Sequence, residues 1–199
     1  MIRRIGCWTL LIASALWAQG CAHSSQASSL PQAQRMIQGQ WKCTFAFNNI
    51  KGKQNQDYMA MTASSASVDT FTPTLWTHKG QEKMEITIHN PIHQTGYGRF
   101  TSDSHSTYTL QEIDGKLEIW EIIQKSDFKM IENSDNFVGR MLLSSYSKTQ
   151  KKTQEYIDTQ RVKKTSILKL NHKELVLNDI DEDYDQDQLP MVLCEKITQ

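Results

Sequence analysis

The chain has 199 residues with 22 basic and 22 acidic side chains, so its formal net charge at neutral pH is zero. Without an excess of positive charge there is no reason to expect nucleic acid as a partner. Glycine and proline are scarce, at 9 and 4 residues, and no internal repeat is visible. We therefore expect a signal peptide at 1–20, a tether at 21–34 and one domain with one core at 35–199.

The first 21 residues have the composition of an export signal. Arg3 and Arg4 make the start basic, segment 5–18 is almost wholly apolar, and a small residue precedes Cys21. The apolar segment is shorter than the roughly 20 residues that a membrane-spanning helix needs, so cleavage is expected.

The sequence Ala18-Gln19-Gly20-Cys21 resembles the lipobox of bacterial lipoproteins, with Ala18 where that motif usually has leucine. The resemblance implies that Cys21 is acylated and anchors the mature protein in a membrane. Ala22 after the cysteine fits the outer-membrane sorting of that family. We expect an outer-membrane lipoprotein facing the periplasm. The alternative is ordinary cleavage, which gives a secreted or soluble periplasmic protein.

The four cysteines divide by position. Cys7 leaves with the signal and the lipid takes Cys21, so Cys43 and Cys194 remain as one pair. An even pair suits an oxidising compartment, and the sequence predicts a disulfide between them.

The chain after the tether predicts a short helix near 30–38 and then mostly strands. In segment 39–48, Trp41, Cys43 and Phe45 alternate with polar residues, as in a half-buried antiparallel strand. Further strands are predicted at 82–89, 106–113, 116–125, 138–147, 166–170, 174–177 and 189–197, with Asp114-Gly115 as a hairpin turn.

Three parts of this pattern are less regular. Segment 58–74 is compatible with strand or loop, and segment 149–164 with a short surface helix or extended strand ends. Gly96 and Gly98 predict a sharp bend or bulge near the next strand.

About eight consecutive antiparallel strands predict an all-β fold, either an up-and-down barrel or a sandwich. Cys43 lies in the first predicted strand and Cys194 in the last. A disulfide needs Cα atoms within roughly 7 Å, and the terminal strands are neighbours when a meander closes on itself. The pair therefore favours the barrel.

Gly39-Gln40-Trp41 at the start of the first strand resembles the G-x-W signature of lipocalins and related calycin barrels. The resemblance implies that the tryptophan closes one barrel end and that the barrel is a cup for a small apolar ligand. The family's Thr-Asp-Tyr motif and its arginine in the terminal strand are not present. Six aromatic residues are candidates to line that cup, or alternatively to fill it: Trp41, Phe45, Phe47, Trp76, Tyr108 and Trp120.

Metal ligation has two weaker candidates. His89 and His93 are four residues apart across Pro91, and His78 or His105 is the nearest third ligand; polar surface at a hairpin is the competing interpretation. The acidic run 179–187 offers oxygens to calcium but lacks the glycine and the closing glutamate of an EF-hand, which favours a solvated loop. No cofactor is expected.

Catalytic motifs are not evident, since the sequence has no G-x-S-x-G elbow and no C-x-x-C. We expect a non-enzymatic protein. One hypothesis is a cell-envelope lipoprotein that binds a small apolar ligand. The other is a structural lipoprotein that contacts another envelope protein through its outer surface. An internal cavity above a few hundred Å³ favours the first, and a filled core favours the second.

Overall fold

A computed structural model describes residues 27, 29–54, 57–89, 93–180 and 191–197. Within these ranges the chain forms two helices and eight strands, in the order α1 Leu30–Ile37, β1 Gly39–Gln54, β2 Asp57–Phe71, β3 Leu75–His89, β4 Gln94–Ile113, β5 Lys116–Asn133, α2 Phe137–Thr159, β6 Val162–Leu170, β7 Glu174–Ile180 and β8 Met191–Lys196. The predicted all-β class and the short N-terminal helix are confirmed.

The eight described strands form a closed up-and-down barrel, in which each strand pairs antiparallel with its neighbours in sequence. β1 closes against β8, with Trp41 opposite Lys196. At that seam Cys43 and Cys194 form the predicted disulfide, with Cα atoms 4.0 Å apart. The predicted closure between the first and last strands is therefore confirmed.

Side chains alternate across the barrel wall, as the pleat of a strand requires. On β1, Trp41 and Cys43 are buried and point inward, whereas Lys42 and Thr44 are exposed. Inward-facing apolar side chains form two clusters. The larger lies at the end that carries α1, and the smaller lies at the opposite end, beneath α2.

Helix α1 closes the first of these ends. Pro31 occupies its first turn, where the missing N–H costs nothing. Ala33, Met36 and Ile37 are buried against the barrel. The indole Nε1 of Trp41 donates a hydrogen bond of 2.6 Å to the carbonyl oxygen of Ile37, which ties the helix end to the first strand.

The prediction of a strand at 138–147 is wrong, because these residues belong to helix α2. The side-chain oxygen of Asn136 accepts a hydrogen bond from the N–H of Gly139 and caps the helix start. Val138 and Leu142, four residues apart, are buried together as one helical face requires. The apolar residues of 138–143, Val138 and the run 141–143, are too few to distinguish a strand from a helix by periodicity, and the cap decides it.

Gly96 and Gly98 lie within β4, next to a register shift between Arg99 and Phe100 that matches the predicted irregularity. They also admit α2. A Cβ at Gly96 would lie 2.5 Å from the Cβ of Val138. Any larger residue there would push the helix off the sheet.

Candidate ligand site in the barrel interior

The six aromatic candidates fall into three environments. Trp41 and Tyr108 are buried in the apolar cluster at the α1 end, and Trp76 packs against it. Phe71 stacks on Trp76 at 4.9 Å and meets Tyr108 edge-on at 5.4 Å, so these rings fill that end of the barrel.

The other three candidates lie elsewhere. Phe45 lines a cavity beneath α2, and Phe47 is half-buried two residues further along β1. Trp120 lies between the buried residues Ile119 and Glu121 and therefore points outward. Its ring lies 5.0 Å from Nζ of Lys164.

A polar network centred on Asp69 lies inside the barrel, next to the ring of Trp76. Asp69 is 3% exposed and its carboxylate accepts hydrogen bonds from Ser67 Oγ at 2.7 Å and Trp76 Nε1 at 2.8 Å. Nδ1 of His78 lies 3.0 Å from the same carboxylate. The desolvation cost of a buried carboxylate is thus offset by three partners.

The network continues from His78 across β3 and β4. Its Nε2 lies 3.0 Å from Oγ of Ser102, and Ser102 Oγ donates to Oε1 of Glu82 at 3.3 Å. Gly80 pairs with Ser102 and makes room for the contact, because a Cβ at Gly80 would lie 2.6 Å from His78 Nε2. The chain Asp69–His78–Ser102–Glu82 therefore joins two carboxylates through one imidazole.

Burial lowers the pKa of His78, and the hydrogen bond and charge of Asp69 together with the charge of Glu82 raise it. The net effect places the pKa of His78 above its ordinary value. When the ring is charged, it donates to both Asp69 and Ser102, which leaves the hydroxyl hydrogen of Ser102 for Glu82. Loss of the proton frees Nε2 to accept from Ser102 instead.

The order carboxylate–imidazole–hydroxyl also occurs in serine hydrolases, where backbone N–H groups stabilise the oxyanion. Here the backbone of Ser102 pairs with Gly80 on one side and with Phe128 on the other. These amides belong to the sheet ladder, and Glu82 competes for the hydroxyl hydrogen. The arrangement is therefore not that of an acyl-transfer centre. We call the chain Asp69–His78–Ser102–Glu82 the polar floor of the barrel interior.

Above this floor lies a partly open cavity of about 90 Å³, between the sheet and α2. Phe45, Met84, Phe100 and Phe128 line it from the barrel, and Leu142 and Tyr146 line it from the helix. The rings of Phe100, Phe128 and Tyr146 are in mutual contact, with centroids 5.2–6.0 Å apart. The charged residues of the lining are Glu82, which faces inward, and Lys83, which is exposed at its edge.

Two larger depressions, of about 380 and 520 Å³, lie on the outer surface. Their linings include exposed, outward-facing residues such as Ala46 and Asn48 for one and Lys42 and Val68 for the other. Both are open grooves, and each also reaches inward-facing residues: Phe47 and Ala63 in the smaller, and Ser67 and Gly80 in the larger.

His89 and His93 lie close together, with ring centroids 4.5 Å apart. Among the described residues, however, no three His, Cys, Asp or Glu side chains are grouped to hold a metal. His78 is bound to Asp69 and Ser102, and His105 is exposed on β4. Cys21 and the side chains of the acidic run 179–187 lie outside the described residues.

None of the helices in the described ranges is long and apolar enough to cross a membrane. Comparison of the chain with protein-family models, with curated proteins and with solved structures gives no match.

Proposed function

We propose that the chain is a cell-envelope lipoprotein, anchored through Cys21, whose barrel domain binds a small ligand in the cavity beneath α2. The ligand proposal rests on one observation. An aromatic cavity adjoins the buried polar network, because Glu82 lines the cavity and also accepts a hydrogen bond from Ser102. Apolar walls with a few placed polar groups are the usual composition of small-molecule sites.

The export signal and the cysteine pattern support the envelope location. Cys43 and Cys194 are bonded in the barrel, which leaves Cys7 in the signal and Cys21 at the cleavage site. Disulfides of this kind persist in oxidising compartments, such as the bacterial periplasm.

A lipocalin-like assignment is supported by the closed barrel end. Trp41 packs under α1, as the G-x-W resemblance implies. Lys196 of the terminal strand lies opposite Trp41, with Nζ 5.0 Å from the ring centroid and 2.8 Å from the carbonyl oxygen of Met36. This lysine takes the place over the tryptophan that the family gives to arginine.

The second candidate is a structural lipoprotein that contacts an envelope protein through its outer surface. The interior cavity is smaller than the few hundred Å³ expected for a ligand cup, which favours this alternative. Exposed apolar side chains on the outer face, including Leu168, Met191 and Leu193, are compatible with it.

Native mass spectrometry of the barrel domain from envelope extracts separates the two candidates. A reproducible added mass that dissociates on unfolding supports the ligand-binding protein. A bare domain that co-purifies with a defined envelope protein supports the structural one.

The anchor has its own test. Cys21→Ser removes the acylated thiol and is expected to release the protein from membranes into the soluble fraction. Cys7→Ser, which changes the other N-terminal cysteine, is the matched control and should leave membrane partitioning unchanged. Equal detergent partitioning of both variants and the parent chain would argue against acylation of Cys21.

A further inference from the structure

We infer that the cavity beneath α2 recognises the ammonium group of a small organic cation, through the carboxylate of Glu82 and the rings around it. This inference rests on the proposed ligand-binding function and names the class of ligand.

The first argument is the charge of the lining. Glu82 faces inward from β3, opposite Phe100 of β4, and contributes a carboxylate to the lining. Lys83 also borders the cavity, but it is exposed on the outward face of β3, where its Nζ lies 3.6 Å from Oε2 of Glu85. A cation that enters such a site gains an ion pair in a partly dehydrated setting, where the attraction is stronger than in water. An anionic ligand would meet repulsion from the same group.

The second argument is the aromatic wall. Phe45, Phe100, Phe128 and Tyr146 all line the cavity, and the last three contact one another. Ring faces attract ammonium groups, and aromatic residues combined with a carboxylate are a recurring means of binding them. The position of Tyr146 is fixed, because its hydroxyl donates to the carbonyl oxygen of Phe128 at 3.1 Å.

The third argument is size. A cavity of about 90 Å³ holds a compact group rather than a long chain. A trimethylammonium head fits this description, and Met84 offers a flexible thioether that adapts to its shape.

The polar floor makes binding depend on pH. The charged groups that act on His78 are Asp69, Glu82 and Lys163. The charged imidazole lies one hydroxyl away from Glu82 and repels a second cation there. Binding should therefore tighten as pH rises through the pKa of His78, with release of the proton from its ring.

Isothermal titration calorimetry with choline and with its uncharged isostere 3,3-dimethyl-1-butanol tests the inference on the full barrel domain. Choline is expected to bind at least about tenfold more tightly than the alcohol. Glu82→Gln keeps the shape of the side chain and should abolish this preference. Glu112→Gln, at an exposed position of β4 outside the cavity lining, is the matched control and should preserve it.

Ring NMR signals of Phe100 and Tyr146 show whether each probe enters the cavity. Equal affinity for both probes, or a preference that survives in a folded Glu82→Gln variant, overturns the cation inference but leaves a ligand cavity. If neither probe shifts these signals or releases heat, the cation inference is overturned; the ligand-binding function fails as well if native mass spectrometry also shows a bare domain.

Discussion

At the residue scale, His78 couples the barrel interior to pH. Its pKa is lowered by burial but raised more by Asp69 and Glu82, so the folded value exceeds the unfolded value of about 6.5. The stabilisation from its charged form is fully present below the unfolded pKa. It is lost as pH rises through the folded pKa.

The corresponding prediction compares two histidines on adjacent strands. His78→Gln removes the ionisable interior ring and should eliminate the loss of stability that this ring causes in the parent chain as pH rises above about 6.5. His105→Gln, at an exposed position of β4, should retain it. Urea unfolding across this pH range measures the effect. Parallel pH profiles for His78→Gln and the parent would contradict the coupling.

Trp76 and His78 were named from the sequence in other roles, but their shared network with Asp69 was not predicted, and the reason is physical. Alternation of polar and apolar residues predicts that polar side chains face outward. Ser67 and Asp69 instead face the barrel interior, where they are buried and hydrogen-bonded to each other. The turn around Pro73 is the sequence feature that could have predicted this network. The turn sets the register in which Phe71 pairs with Trp76, and the same register pairs Asp69 with His78.

At the element scale, α2 is the part that covers the cavity, and adjacent leucines separate its two faces. Leu142 is 2% exposed against the sheet, whereas Leu143 is 46% exposed. Leu142→Ala should lower the free energy of unfolding by about 2–4 kcal/mol through lost burial and an enlarged cavity.

Leu143→Ala makes the same change on the solvent face and should cost less than about 1 kcal/mol. Denaturant melts of both variants give the comparison. Similar losses for the two would mean that α2 does not pack on the sheet through the face described.

The strands were more accessible from the sequence than α2. Clean alternation in β1 and the Asp114-Gly115 turn each depend on neighbouring residues alone, so both were predicted. The start of α2 depends on Asn136 as a cap and on glycines of β4, a distant strand that leaves space for Val138. Asn136 is itself a local helix-start signal, whereas space left by a distant strand has no local sequence signature.

At the scale of the whole molecule, the disulfide joins the first and last strands across 151 residues. The chain-entropy model gives about 3–5 kcal/mol for closing a loop of this length. The double variant Cys43→Ala, Cys194→Ala should lose stability of that order, measured by urea unfolding.

Reductant provides the control for this prediction. It should bring the parent chain close to the stability of the double variant and leave the variant itself unchanged. A parent chain that keeps its unfolding midpoint after verified reduction would show that the bond contributes little.

Barrel closure was predictable because it needs only the positions of Cys43 and Cys194 in the terminal strands. The cavity was not, since its volume depends on how Phe100, Tyr146 and Met84 pack together. The alternation of polar and apolar residues in the sequence does not determine how these side chains pack.

The two helices lie at opposite ends of the barrel, and with the proposed anchor and ligand site this would set a direction for ligand exchange. The N–H of Ala27 donates to the carbonyl oxygen of Leu170 beside α1, and the chain from Cys21 to Ala27 spans at most about 20 Å. If Cys21 carries the proposed acyl chain, the bilayer would lie on the α1 side and the α2 side would face the aqueous compartment. A ligand would then be exchanged with soluble carriers or free solution, and not by lateral passage from the lipid layer.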